Sequence, residues 1–572
     1  MKTLYVGPID LENDRGPDCF ISDYYCIPAE RCTLENMQRC QLLEKRTPEQ
    51  SDKRDRLAEW LAVYFFQKLW KEIDEHHGLG LGIEFWGFSI IGTCYALIQH
   101  FLDFDFKLSK LKSSGSNGAI VTPTDEAIEA PFDLSEMIDG FSLHAEAILP
   151  RLWNVWLSAL SEKQRPVVII KKTEKEIGSV FVLNSNIKHE SLDMLYLGLN
   201  RIEIAALGFL SKAKKKEKSE ITTFKRLIEK FDKQSEELRL LENSEQFLEN
   251  AEISIRRLLP RIYFDRELIA QNANKKYSHF VISPGRISRM TAILLQLGAA
   301  HAKGATLVGI QHGGHQYGSA RSLGLFNFTE FLYSIFLSWG WKGPTGLLST
   351  RVHTLPSPLL SKFKSLKARE SSDFIWVGTQ AYTHHYRYQD NPSADYCLEY
   401  RQEGCSFFSE LGTPAKERVV YRPYPSSEGT SVDLHRLIPS LKTNTRVTHE
   451  FWKDLKGASL AIIDHPGTTL NMVLAANVPT ICFWNPSGYL MNESARRFFD
   501  LFRKAGILHD SGHSAAQLLN QLSQEDSDGI ERWWSAPHRQ QLVEEWCNEY
   551  AQTSSNWRME WARFFLNLNR QF

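Results

Sequence analysis

Two short stretches hold the residue types from which group-transfer chemistry is usually built. The first is Asp464-His465-Pro466-Gly467-Thr468-Thr469. It follows the apolar, strand-length run Leu460–Ile463 and precedes Leu470, Val473 and Leu474 at helical spacing. Thr468 or Thr469 can cap that helix. A helix start presents N–H groups without intrahelical partners, together with the positive end of the helix dipole. The stretch therefore suits a phosphate. The second is Gln311-His312-Gly313-Gly314-His315-Gln316-Tyr317-Gly318, directly after the apolar run Ala305–Ile310. Its glycines let a ligand approach the backbone. His312 or His315 can serve as base, as acid, or as a hydrogen-bond donor to phosphate. The two histidines lack the Cys or carboxylate partners of a zinc site, so no metal is expected there.

Smaller candidates lie around these. Gly378-Thr379 ends the run Phe374–Val377, another strand end where a donor can lie. An aromatic and basic cluster follows: Tyr382, His384, His385, Tyr386 and Arg387. Arg422 ends Val419–Tyr421 and is either a phosphate fork or an ordinary surface arginine. In HHGLGLGIEFWGFSIIG (76–92), His77 and the glycines either shape an acceptor pocket or form a loop entering a core helix. Asp103 and Asp105 make a D-x-D, the pattern of a divalent-ion site, with no partner motif after it. It is taken as chance.

The elements that must position these residues are strand–loop–helix units of the doubly wound α/β kind, in which ligands gather at the carboxyl ends of strands. One run of such units ends near the SWGW turn at 338–341, and a second begins at Phe374. The sequence has no Walker loop, no G-x-G-x-x-G at a strand end and no G-x-S-x-G elbow. A nucleotide triphosphatase, a dehydrogenase and an α/β-hydrolase are disfavoured accordingly.

At 572 residues the chain is long enough for two or three domains. A net charge of −1 offers no general attraction to nucleic acid, and no nucleic-acid partner is expected. Nine scattered cysteines without a CxxC pair point to a reducing compartment. The N-terminal stretch MKTLYVGPIDLEND lacks the apolar core of a signal peptide, so a cytoplasmic protein is expected. The apolar run Ile83–Leu102 carries Glu84, Gln99 and His100 and reads as a buried core helix. Residues 113–124 read as a loop. Residues 211–248 read as a solvated helical arm, with Lys212 and Lys214–Lys216 as a basic patch that could touch a membrane surface.

VGIQHGGHQYG (308–318), SWGW, YRPYP (421–425), DHPGTTLNMVLAANVPTICFWNP (464–486) and the Trp-rich tail together resemble a family of bacterial transferases from O-antigen and other surface-polysaccharide gene clusters. The resemblance implies a GT-B glycosyltransferase: two facing Rossmann-like domains and a C-terminal helical segment crossing back, with neither metal nor cofactor. The domains expected are 1–344 on the acceptor side, a linker at 345–367, 368–525 for the donor nucleotide, and terminal helices at 526–572. The partners implied are a nucleotide-sugar donor and a glycan or lipid-linked acceptor, at the cytoplasmic face of the inner membrane. The donor side would comprise Gly378, Thr379, Arg387, Arg422, His465, Pro466, Gly467, Thr468 and Thr469. The acceptor side would comprise Gln311, Gly313, Gly314, Tyr317 and His77, with His312 and His315 catalytic. His465-Pro466 departs from the Ser/Thr-rich turn of relatives and resembles the donor-phosphate motif of transferases using CMP-linked acidic sugars, which keeps such a donor open beside UDP- and GDP-sugars. Two rivals stand: a phosphotransferase using a CDP-alditol donor, and a non-catalytic scaffold that binds glycan or sugar nucleotide.

Overall fold

The computed structural model describes residues 2–14, 16–28, 31–112, 118–136, 145–160, 167–170, 223–232, 244–275, 280–284, 290–314, 318–321, 324–328, 330–343, 350–364, 373–379, 381–383, 394–424, 438, 441, 451–525 and 528–571. These residues build three sheets, and every strand pair in them is parallel. The architecture is mixed α/β, compatible with Rossmann-like winding.

The first sheet contains β1 (Thr3–Tyr5), β2 (Cys19–Ile21), β3 (Gln41–Leu42), β4 (Ala119–Thr122) and β5 (Val167–Ile170), in the order β3-β2-β1-β4-β5. That is the strand order of dinucleotide-binding folds. β4 falls in a stretch whose composition reads as a loop. Four residues are too few to show a period, and pairing with β1 on one side and β5 on the other makes them a strand.

The middle sheet contains β6 (Phe280–Pro284), β7 (Thr306–Ile310), β8 (Ile335–Ser338) and β9 (Arg351–Thr354), in sequential order. β9 lies inside the expected linker. Alternation along β7 and β8 gives the sheet one face of Val308, Ile310, Ile335 and Leu337. The terminal helix Trp557–Gln571 lays Trp557, Trp561, Phe565 and Leu568 on it.

The third sheet contains β10 (Phe374–Val377), β11 (Val419–Arg422), β12 (Leu460–Ile463), β13 (Thr480–Phe483) and β14 (Leu508–His509), in the order β11-β10-β12-β13-β14. The winding direction reverses between β10 and β12. A crevice is expected at the carboxyl ends of those two strands.

A helical hairpin joins the first two sheets. Helix Pro48–His77 begins in a capping box made by Thr47 and Gln50. It ends at Gly78, and Gly78, Gly80 and Gly82 all take positive φ. Asp74 accepts from the N–H groups of Leu81 and Gly82 at 2.8 and 3.0 Å. The His-Gly segment is therefore the turn into helix Ile83–Lys112, with glycine where the left-handed backbone needs it. Among the described residues that helix alone is long and apolar enough to cross a membrane, and 94% of its apolar window is buried inside the protein. It is a core helix.

The expectation of a solvated arm at 211–248 fails for helix Thr223–Asp232. Phe224, Leu227 and Phe231 are buried, and the Phe224 ring occupies the space where a Cβ on Gly87 would stand. Their spacing is a packing seam, not a free face. The basic residues at 212 and 214–216 lie outside the described residues. Asp103 also has a structural role. Its carboxylate meets Arg46 at 3.2 Å, Arg54 at 3.4 Å and Lys107 at 2.7 Å.

Candidate functional site

The third sheet supplies one wall. β12 is buried along its whole length and delivers Asp464 and His465 at its carboxyl end. Pro466 is buried behind them. Helix Thr468–Ala475 then starts on Gly467 as N-cap, and no side chain caps it. The expectation that Thr468 or Thr469 caps the helix is corrected here. Both lie inside its first turn, and their hydroxyls point to other tasks.

Those tasks define the site. Thr468 Oγ1 accepts from the backbone N–H of Gly314 at 3.0 Å. Thr469 Oγ1 stands 3.1 Å from His465 Nε2. His465 Nδ1 lies 2.9 Å from Asp464 Oδ1. A carboxylate only accepts, so Nδ1 carries the proton and Nε2 of a neutral ring faces the threonine as an acceptor. Asp464 Oδ2 in turn accepts from Trp376 Nε1 at 3.0 Å and Tyr400 Oη at 2.9 Å. A buried aspartate thus fixes the tautomer and plane of a histidine at a helix start. Gly467 is required beneath the ring: a Cβ there would come within 2.6 Å of His465 Cδ2.

Tyr400 also ties the two loops at the reversal of the third sheet, because its hydroxyl accepts from Thr379 N–H at 3.0 Å. Burial, and then the charge of Asp464, push its ionisation well above the ordinary tyrosine range. Tyr400 therefore works as a neutral hydroxyl. Gly378 donates its N–H to the carbonyl of Arg422, and a Cβ on it would meet the Tyr421 hydroxyl at 2.4 Å. Arg422 is buried, its Nε donates to Asp454 at 3.1 Å, and its guanidinium lies over the Phe451 ring. The cation is therefore held inside the protein by Asp454, and is not the ordinary surface arginine of the second alternative.

The middle sheet supplies the opposite wall. β7 leads into Gln311, whose side-chain amide makes three hydrogen bonds. It donates to the Gly313 carbonyl at 2.7 Å and accepts from Trp339 N–H and Trp341 Nε1 at 2.8 and 2.9 Å. Gln311 thereby shapes the loop and holds it to the SWGW turn. His312 follows, half-buried. Gly314 packs so closely on the third-sheet loop that a Cβ would meet Asn471 Nδ2 at 2.9 Å and the Gly467 carbonyl at 3.0 Å. His315, Tyr317 and Arg387 lie outside the described residues.

His77 is elsewhere. It is buried, its Nε2 is 2.7 Å from the Tyr263 carbonyl, and its ring stacks on Trp86. The other end of its helix meets the segment after the glycine loop, where Asp52 pairs with Arg321 at 3.0 Å. At 1.5 Å per residue His77 is roughly 37 Å farther along that helix, in the core.

Sequence reasoning missed Asp464 as an orienting group, although it stands beside His465. It also missed Trp376 and Tyr400, which only the fold brings near. Asn471 was missed too. Its side chain accepts from Trp546 Nε1 at 3.0 Å and donates to the Tyr550 carbonyl at 3.3 Å, so the C-terminal helices hold the helix that carries the threonines.

Parallel sheets with glycine-bearing loops and a helix start gathered at their carboxyl ends make this a mixed α/β protein compatible with Rossmann-like winding, with a candidate site at those ends. The chain belongs to the LIC12162 family transferases, whose family model matches residues 2–565. It is a transferase by that membership. No curated protein matches it.

Proposed function

We propose that this transferase is a GT-B-type glycosyltransferase that moves a sugar from a nucleotide-sugar donor to a glycan or lipid-linked acceptor in surface-polysaccharide synthesis, at the cytoplasmic face of the membrane. The observation that carries the reading is the contact of the β7 loop with the β12 loop through Gly314 and Thr468. A histidine-bearing loop of one sheet thus faces an uncapped helix start of another. In this reading the donor phosphate lies at Gly467–Thr469. The helix-start N–H groups take up charge as the bond from anomeric carbon to phosphate oxygen breaks, and the Thr469 hydroxyl turns from His465 Nε2 to donate to the departing oxygen. The acceptor hydroxyl attacks that carbon from the β7 side, and its proton passes to His312. Charge that a divalent ion carries in other transferases is carried here by these groups. His465-Pro466 favours including CMP-linked acidic sugars among the donors tried.

The test is titration of CMP, UDP and GDP, followed by turnover with the matching sugar donors. His312→Ala and Thr469→Val should each lower transfer by at least about tenfold in folded protein. A phosphodiester product would replace the reading with the CDP-alditol one. Tight nucleotide binding without turnover would replace it with a scaffold.

A further inference from the structure

Helix Trp557–Gln571 has two unlike faces. Trp557, Trp561, Phe565 and Leu568 lie buried on the middle sheet. The opposite side carries Met559, 61% exposed, and Leu566, 47% exposed. Seven positions separate them, so they stand about two turns apart along one side of the helix. Arg563, four positions after Met559 and three before Leu566, shares that side. Arg558 flanks it, with its guanidinium 4.5 Å over the Trp557 ring. Both arginines are exposed. A helix that only covers a sheet keeps its outer face polar. Apolar side chains turned outward among arginines are the pattern of a helix that lies in a lipid interface.

The neighbouring elements add charge of the same sign. Trp561 Nε1 donates to the Pro356 carbonyl at 2.9 Å, and the His353 ring lies 5.2 Å from that of Phe564. β9 and the short helix Pro358–Phe363 therefore lie beside the C-terminal helix. Arg351, Lys362 and Lys364 are exposed there. Residues 351–364 and 557–568 together hold five Lys and Arg against one carboxylate, Glu560, which accepts from the Ser554 hydroxyl. The whole chain carries a net charge of −1, so positive charge is concentrated around the protruding apolar groups. An anionic bilayer complements both features. A second copy of this face would set like charges together, and nucleic acid offers no apolar interior to Met559 and Leu566.

We propose that this face docks on a bilayer containing anionic lipid, with Met559 and Leu566 in the boundary between headgroups and acyl chains and the surrounding arginines and lysines against the headgroups. The proposal rests on the membrane location given above and names the surface that makes the contact. It does not depend on the donor. The helix covers the sheet whose β7 loop carries His312, so docking brings that sheet to the lipid.

The experiment is flotation of the full chain with vesicles of phosphatidylcholine alone and of phosphatidylcholine mixed equally with phosphatidylglycerol. Wild type should bind the mixed vesicles at least about tenfold more tightly, and added salt should shrink the preference. Each cation near an anionic leaflet strengthens binding about fivefold, so Arg558→Gln with Arg563→Gln should weaken it at least about tenfold. Met559→Gln with Leu566→Gln leaves the charge unchanged and should also weaken it. Glutamine is a good helix former, and circular dichroism checks that each variant is folded. Arg261→Gln with Arg266→Gln, an exposed pair elsewhere, should bind as wild type does. A wild type that binds neither vesicle, or both equally, overturns the docking surface and the membrane location together. Wild-type binding by either folded variant of the helix, or an equal loss in the control pair, overturns the surface and leaves the location standing. The sugar-transfer reading fails separately, in the nucleotide titration.

Discussion

The backbone N–H of Gly314 donates to Thr468 Oγ1 at 3.0 Å across 154 positions of sequence. It closes the middle sheet on the third at the carboxyl ends of β7 and β12. Helix capping does not need the Thr468 hydroxyl, because Gly467 is the N-cap. The hydroxyl serves the contact between loops.

Thr468→Val removes the acceptor and keeps the shape, leaving a half-buried N–H without its partner. A loss of about 1–3 kcal/mol is expected. Chemical unfolding of the variant beside Thr468→Ser, which retains the oxygen, measures it. Equal midpoints for the valine and serine forms would show that the contact contributes nothing.

Asp464→Asn tests how His465 is held. The aspartate accepts from His465 Nδ1, Trp376 Nε1 and Tyr400 Oη. An asparagine must turn its NH₂ toward at least one of these donors. Transfer should fall at least about tenfold, in kcat more than in KM, because the ring is mis-set while the rest of the site persists. Crystallography or NMR of the imidazole should show the changed tautomer. A variant with wild-type kcat and an unchanged ring would remove Asp464 from any positioning role.

Much of this arrangement was legible in the chain itself, and the misses share a cause. β7, β10, β12 and β13 announce themselves as apolar runs, and the first three run into glycine-bearing loops, so both loops could be found before any fold was known. β4 and β9 could not, because four residues carry no period and only their neighbours make them strands. Arg422 at a strand end read as a phosphate fork or a surface residue; Asp454, 32 positions away, gives it a structural partner. Tyr400 lies 64 positions from the aspartate it serves. Local spacing reports what a residue can do, and long-range partners decide what it does.

The first and third sheets are also locked by charge. Arg46 meets Asp103 at 3.2 Å and Asp395 at 3.1 Å, and all three are at most 3% exposed. Lys107 joins them. Burial alone would lower its ionisation, but Asp103 and Asp23 hold it above the ordinary lysine value. Arg46→Met leaves Asp395 buried without this partner and should cost about 3–5 kcal/mol, read from the urea midpoint. The double variant Arg46→Met with Asp395→Leu should recover part of that loss, since it removes both buried charges of the pair. A double variant as unstable as the sum of the two single ones would show the two residues to be uncoupled.

Glu59 makes stability depend on pH in a predictable direction. Burial first, and the charge of Asp55 second, raise its carboxyl from 4.5 to about 8, against the N–H donated by Asn327. The folded protein therefore holds the proton more tightly than the unfolded chain. Below 4.5 both states are protonated, and the group contributes nothing to the pH dependence. From there to about 8 the unfolded state releases its proton first, so stability falls as pH rises. Glu59→Gln cannot ionise and keeps a carbonyl oxygen to accept from Asn327. Its melting temperature should exceed that of the wild type at pH 9 by more than it does at pH 5. A constant difference between the two proteins across that range would mean that Glu59 is already ionised in the folded state at pH 5.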